Sequence, residues 1–222
     1  MDKDPSHINC DLYPGPNIDV VFDACKPWPF RDNSIGMVGA SHVFEHLPDP
    51  WTFMKEAHRV LVPSPFANLV MRLPYGPGIG GMSDLTHVRP YLPFSFASFQ
   101  PGYNERVANP QHDAWKWPFS VISIYLQVNT RLKWLLWPVL RHWGVFVLDF
   151  LWDGYYEMTV GMRAMKDPTE IERWKATDDP SMVPIAKYMW EHDYQGRKLE
   201  DGEKPRYKFF GPGAKQMQAQ VI

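Results

Sequence analysis

The sequence predicts an α/β fold in which a parallel core of strands is extended by an antiparallel pair. Three observations predict it. Residues 7–75 alternate short apolar runs with turn residues around one strongly marked helix. Two longer stretches with strand periodicity follow, Phe119–Val128 and Tyr155–Met165. The connections inside 7–75 are short. Such alternation is the pattern of an α/β sheet, whose ligands gather at the carboxyl ends of its strands.

The first strand is expected at His7–Asp11, closed by an acid and the turn Tyr13-Pro14-Gly15-Pro16-Asn17. The second is Ile18–Phe22, ending at Asp23. Arg31-Asp32-Asn33-Ser34 turns the chain into a third strand, Ile35–Ala40, ending at Ser41. Asp49 is an N-cap and Pro50 takes the first helical position, where its missing N–H costs nothing. Met54, Ala57, His58 and Leu61 then recur at helical spacing until Pro63-Ser64-Pro65 stops the helix. Phe66–Leu73 is the next strand, closed by Pro74-Tyr75. The strand ends therefore carry Asp11, Asp23, Ser41 and Tyr75.

In Tyr155–Met165, Glu157, Thr159, Gly161 and Arg163 alternate with Met158, Val160, Met162 and Ala164, and pairing with Phe119–Val128 at one sheet edge is expected. Trp134–Tyr156 between them is apolar but broken by Pro138, Arg141, Asp149 and Asp153. It reads as a helix pair covering the sheet, or as an interfacial helix meeting a membrane surface or a partner. Beyond 167 the chain turns polar, with a helix expected at Ile185–Tyr194 and a loosely ordered end.

Composition narrows the function. The chain has 222 residues, 45% hydrophobic and 22% charged, which excludes wholesale disorder, collagen and coiled coil. A net charge of −2 gives no strong nucleic-acid signal, since non-specific affinity comes from neutralised phosphates. Cys10 and Cys25 form neither a metal pattern nor a disulfide framework. No signal-peptide core and no spanning apolar run is present, and a reducing, cytoplasmic location is expected. The 22 prolines, 10 tryptophans and 15% aromatics point to loops anchored by large rings.

Three motifs carry candidate chemistry. His42-Val43-Phe44-Glu45-His46 matches an inverted zinc-peptidase pattern. Gly39, Pro48 and Pro50 leave barely two turns of helix for it, so no metal centre is expected there. Gly76-Pro77-Gly78-Ile79-Gly80-Gly81 matches a dinucleotide fingerprint, which must open a helix. Met82-Ser83-Asp84 shows no helical period, and a lid is the better reading. The third is the pair Asp11 and Asp23: a carboxylate after a strand can accept both hydroxyls of a ribose.

Asn9–Tyr75 resembles class I S-adenosylmethionine-dependent methyltransferases of the type 11 kind. The resemblance rests on Ile8-Asn9-Cys10-Asp11, Asp19–Ala24, Pro29–Ile35, Ala40–Leu47, Arg59–Pro63 and Asn68–Pro74, with Asp84–Pro90 similar to a loop of some members. It implies a Rossmann-like sheet over 1–166, an aromatic-rich insertion at about 76–154, and a polar extension at 167–222. It implies that Asp11 holds the ribose of the methyl donor, S-adenosylmethionine. Asp23 and Ala24 face the adenine, Phe30 lines its pocket, and Ser41 borders the donor. His46, His42, His87 and Arg89 stand as catalytic candidates on the acceptor side, because imidazole titrates near neutrality and guanidinium grips anions. Tyr91, Phe94, Phe96 and Phe99 form an acceptor pocket or a core under a loop. The family's first strand and glycine-rich loop, which wrap the methionine end, need about a dozen residues or more, and six precede His7. The fold is therefore expected to be N-terminally truncated, with a half-built donor site. The expected function is methyl transfer to an unnamed small-molecule or macromolecular acceptor; the alternative is an inactive binding or structural module of the same fold.

Overall fold

In a computed structural model, residues 7–76, 78–101, 116–128 and 155–177 are described. Parallel strands β1 (Cys10–Asp11) and β2 (Val20–Val21) form a small ladder of their own. A second, four-stranded sheet has the order β3 (Val38–Ser41), β4 (Leu69–Pro74), β6 (Tyr155–Ala164), β5 (Phe119–Val128). β3 and β4 run parallel; β6 is antiparallel to both of its neighbours. Among the described residues no strand joins the two sheets, so the single continuous sheet expected from the sequence is observed as two pieces.

The β3–β4 crossover is made by α1 (Pro50–Val60), and it forms for the reasons its sequence gives. The Asp49 carboxylate accepts from the Trp51 and Thr52 N–H groups and from the Thr52 hydroxyl. Partial burial works to raise this carboxyl, but those hydrogen bonds outweigh it and hold it below the ordinary aspartate range. Phe53, Met54, Ala57 and Val60 are buried on one face, a stripe that contributes about 1.5–3 kcal/mol per large side chain. On the solvent side Arg59 donates to the Trp28 and Phe30 carbonyls and to Glu56 and Asp32. It thereby straps the 28–32 loop onto the helix.

The first three strands are shorter than their apolar runs. In Val20–Val21 only Val20 is half-buried and Val21 is exposed, and Ile35 makes a lone parallel bridge to Leu61 before Gly36 interrupts the strand. The later pair matches expectation: β5 and β6 pair over their length, with β5 at the edge. The sheet's apolar positions Leu69, Met71, Leu73, Met158, Val160 and Met162 are fully buried. Helix α3 (Pro168–Thr177) follows β6, with Trp174 buried and Glu170 paired to Arg163 of the strand. Trp134–Asp153, Ile185–Tyr194 and the chain end lie outside the described residues. Among the described residues no helix is long and apolar enough to cross a membrane.

Aromatic rings tie the loops together. Phe30 and Trp28 pack on Phe22, Trp28 on Phe53, Phe53 on Phe44, and Phe44 on both Tyr91 and Phe96, with centroids 4.9–5.9 Å apart. Edge-on pairs of this kind add about 0.5–1.5 kcal/mol each beyond their burial. Gly76 and residues 78–81 lie in a tight turn with a single helical turn, α2 (Ile79–Met82). Gly81 lies so close to the preceding chain that a Cβ there would sit 2.5 Å from the Tyr75 carbonyl oxygen and 2.7 Å from that of Gly76. Gly76 and Gly81 are thus glycines for packing reasons.

Two predictions follow from this packing. His58 of α1 donates from Nε2 to the Met165 carbonyl at 2.9 Å and packs edge-on against Phe119. Burial holds its pKa below the ordinary histidine value. The fold therefore favours the neutral ring. The stability this lends is complete above about pH 6.5 and is lost as pH falls toward the lower folded value. Between about pH 7.5 and about pH 5.5 the melting temperature of the native chain should drop further than that of His58→Gln; equal drops would refute the assignment. Gly81→Ala should cost about 2 kcal/mol or more in urea denaturation, and an unchanged midpoint would show that the turn relaxes freely.

Candidate functional site

Two groups of predicted residues meet at strand ends. In the β1–β2 ladder Asp11 lies opposite Val21, and the Phe22 N–H donates to the Asp11 carbonyl. This register puts the side chains of Asp11 and Asp23 at neighbouring parallel strand ends. Each carboxylate uses Oδ1 to accept from the backbone two residues on, Tyr13 N–H for Asp11 and Cys25 N–H for Asp23, both at 2.9 Å. These turns fix the carboxylates without filling them, since a carboxylate accepts about four hydrogen bonds. Asp23 Oδ2 also meets Lys26 at 3.4 Å. Ala24 and Phe30 are partly buried beside them, against the Phe22–Trp28 cluster. The Ala24 carbonyl accepts from the Trp28 indole.

The second group starts at the end of β3. Ser41 is exposed, and His42 after it has a positive φ of 52°. The His42 ring bridges two buried carboxylates: Nδ1 lies 3.2 Å from Glu45 Oε1, and Nε2 lies 3.2 Å from Glu157 Oε2. Glu157 is held from its other oxygen by Arg72 Nε at 2.6 Å, and this pairing raises the guanidinium pKa. The zinc-peptidase spacing therefore does not pair His42 with His46 as ligands. Residues Phe44–His46 form a 3-10 turn rather than an α-helix.

His46 faces the other way, toward the loop 84–91. Its Nδ1 lies 3.3 Å from the Thr86 carbonyl and 3.1 Å from the Thr86 hydroxyl. His87 reaches the same place: the two rings are 4.8 Å apart, edge to face, and His87 Nδ1 lies 3.1 Å from the Gly81 carbonyl. The Val88 N–H donates to the Glu45 carbonyl and fastens the loop. Asp84 accepts from the Thr86 hydroxyl and N–H, which hold its carboxyl below the usual range.

Arg89 donates to the Pro48 carbonyl and borders a cleft of about 280 Å3 with Trp51, Tyr91, Phe96 and Phe99. Tyr91 is buried and its hydroxyl has no partner among the described residues; burial pushes its pKa up to about 12. Phe94, expected in this pocket, is 45% exposed and is not among the residues lining the cleft. Among the described residues no hydrogen bond links the Asp11–Asp23 pair to the His42 group. Sequence reasoning did not find Glu157 or Arg72. Glu157 lies 115 positions from His42 in sequence, and only the β4–β6 register brings them together.

Residues 5–66 match the family described as "Methyltransferase domain". Two curated proteins, each named "Uncharacterized methyltransferase", from Mycobacterium sp. strains KMS and MCS, are 41% identical over 59 residues. That match takes in 27% of this chain and 23% of each relative, so the chain spans about a quarter of the length of the curated relatives it matches. Among solved structures, the cyclase SpnF is 16% identical with a TM-score of 0.38, covering 66% of this chain and 57% of its own. A protein from Bacillus halodurans C-125, described as a candidate methyltransferase, is 15% identical with a TM-score of 0.37, covering 71% and 81%. Both TM-scores are too low to bear on function. By sequence, residues 5–66 are similar to the methyltransferase-domain family, and the described residues around them form a mixed α/β fold.

Proposed function

We propose that this chain is an S-adenosylmethionine-dependent methyltransferase. The observation that carries the reading is the Asp11–Asp23 pair, set at neighbouring strand ends inside the segment of methyltransferase sequence. In this reading Asp11 accepts from the ribose hydroxyls of the donor. Asp23 and Ala24 face its adenine, Phe30 lines that pocket, and Ser41 borders the donor. The donor, when bound, supplies an electrophilic methyl group; the chain positions an acceptor against it, which is the larger part of such catalysis.

The adenosine half of the donor fits these residues. Each carboxylate is oriented by a backbone N–H and keeps acceptor capacity. For the methionine half the described residues offer no open glycine cradle, because the Gly76–Gly81 turn is filled by its own backbone.

His42 is a positioning residue here, since both its nitrogens already face carboxylates. His46, His87 and Arg89 stand on the acceptor side, with Arg89 at the mouth of the aromatic cleft, where it suits an anionic acceptor. The methyltransferase-like unit is placed at 1–166 with its insertion at 76–154, and 167–222 is its extension. A cytoplasmic location belongs to the same proposal and is supported by the free thiols Cys10 and Cys25. So does a membrane or partner contact through 134–156, which lies almost wholly outside the described residues.

Calorimetry with S-adenosylmethionine and its demethylated product tests the reading. Binding is expected, and Asp11→Ala should weaken it at least about tenfold, equivalent to about 1.4 kcal/mol. Asp11 is exposed, so the substitution leaves the core alone. Unchanged affinity would refute the ribose assignment. No binding at about millimolar ligand would favour the inactive module.

A further inference from the structure

The side chains that the histidine motif and the 84–88 loop bring together form a second feature, independent of donor binding. Glu45, His46 and His87 each present a ligand atom within 4.8 Å of the other two. Glu45 is 2% exposed, and its two oxygens differ. Oε1 meets His42, whereas Oε2 is buried with no hydrogen-bond partner among the described residues. A buried carboxylate oxygen left unsatisfied is costly, and in a native protein it implies a partner such as an ion.

The two histidines are oriented to supply lone pairs. A carbonyl oxygen only accepts, so the Gly81 carbonyl fixes the proton of His87 on Nδ1. The Thr86 carbonyl does the same for His46. The Thr86 hydroxyl proton is already given to Asp84, so that oxygen too faces His46 Nδ1 as an acceptor. In both rings Nε2 keeps its lone pair. A backbone carbonyl or hydroxyl on one ring nitrogen, with the other left bare, is the usual outer support of a metal-bound histidine. His87 Nε2 moreover lies 3.7 Å from Asp84 Oδ2. One ion can meet both groups at that distance.

We propose that Glu45, His46 and His87 form a binding site for a divalent first-row transition-metal ion such as Zn2+, with Asp84 in reach as a further oxygen ligand. Two imidazoles and one carboxylate suit this class of ion and leave positions open for water or substrate. Bonds of about 2.0–2.1 Å require the three ligand atoms to draw together by up to about 1.5 Å. Loop 84–88 is tied to the Phe44–His46 turn by the Val88 N–H to Glu45 carbonyl bond and by His46 against Thr86, and a shift of this loop supplies that movement. His46 and His87 then act as ligands rather than as proton acceptors.

The test uses the full, untagged chain stripped with a chelator. Addition of Zn2+ should be bound at one equivalent per chain and should raise the melting temperature. Glu45→Gln and His87→Ala should each weaken uptake at least about tenfold, while the double variant Cys10→Ser, Cys25→Ser should bind as the native chain does. Co2+ gives a reading on the native chain alone, should a variant fail to fold. Visible bands without a thiolate charge-transfer band are expected, and a thiolate band would place the metal on cysteine and overturn the proposal. No uptake, or equal uptake by the variants, would also overturn it.

Discussion

Strand β6, inserted antiparallel between β4 and β5, is the constraint on which the rest of the site depends. It covers the flank of β4 that β3 does not, and it turns a two-stranded parallel unit into a four-stranded sheet. Its register sets Pro74 opposite Glu157 and Arg72 opposite Thr159. Glu157 is thereby delivered beneath the carboxyl end of β3, where Arg72 and His42 neutralise it. A one-residue slip would send Glu157 to the other face and bury an unpaired charge in place of a methionine. The same pairing that builds the sheet therefore fixes the position of the first residue beyond β3.

From that point the loops are held by two kinds of force. Aromatic packing runs continuously from Phe30, beside the Asp11–Asp23 ladder, through Trp28, Phe53 and Phe44 to Tyr91 at the cleft. It explains why so many rings lie in loops: each ring orders a segment that has little regular hydrogen bonding of its own. Polar contacts then set orientation. Arg59 holds the 28–32 loop by its carbonyls, and Glu45 and Thr86 hold the 84–88 loop against the 3-10 turn.

Where local chemistry decides structure, the sequence was a good guide. The Asp49–Pro50 cap, the apolar stripe of α1 and the strands at 119–128 and 155–164 are each written in a few consecutive residues. The short strands are shorter than apolar runs such as Ile18–Phe22 suggest, because pairing needs a partner that periodicity cannot name. The alternation in β6 gave its apolar face correctly. On the opposite face Glu157 and Gly161 are buried as well: His42 and Arg72 close over Glu157, and Ser123 of the bulged β5 closes over Gly161. At the site, the adjacency of Asp11 and Asp23 was legible from strand order. The meeting of His46 with His87, 41 positions apart, depends on a loop closure that no spacing rule encodes.

His42 shows how the site and the fold share one cost. A non-glycine residue at a φ of 52° is disfavoured by about 1–3 kcal/mol, although histidine tolerates the region better than branched residues do. The conformation persists because the backbone N–H of His42 is still donated to the Arg72 carbonyl at 2.7 Å, extending the β3–β4 ladder by one bond, while the ring is clamped between two carboxylates. The abrupt turn that results has a consequence one step further on. It starts the Phe44–His46 turn immediately, which buries Phe44 in the aromatic chain and drives Glu45 inward. It also leaves His46 facing loop 84–91. A relaxed extended residue at this position would carry the chain onward past the strand end, and the three functional directions of the motif would be lost together. The strain is thus what converts a linear run of five residues into a site.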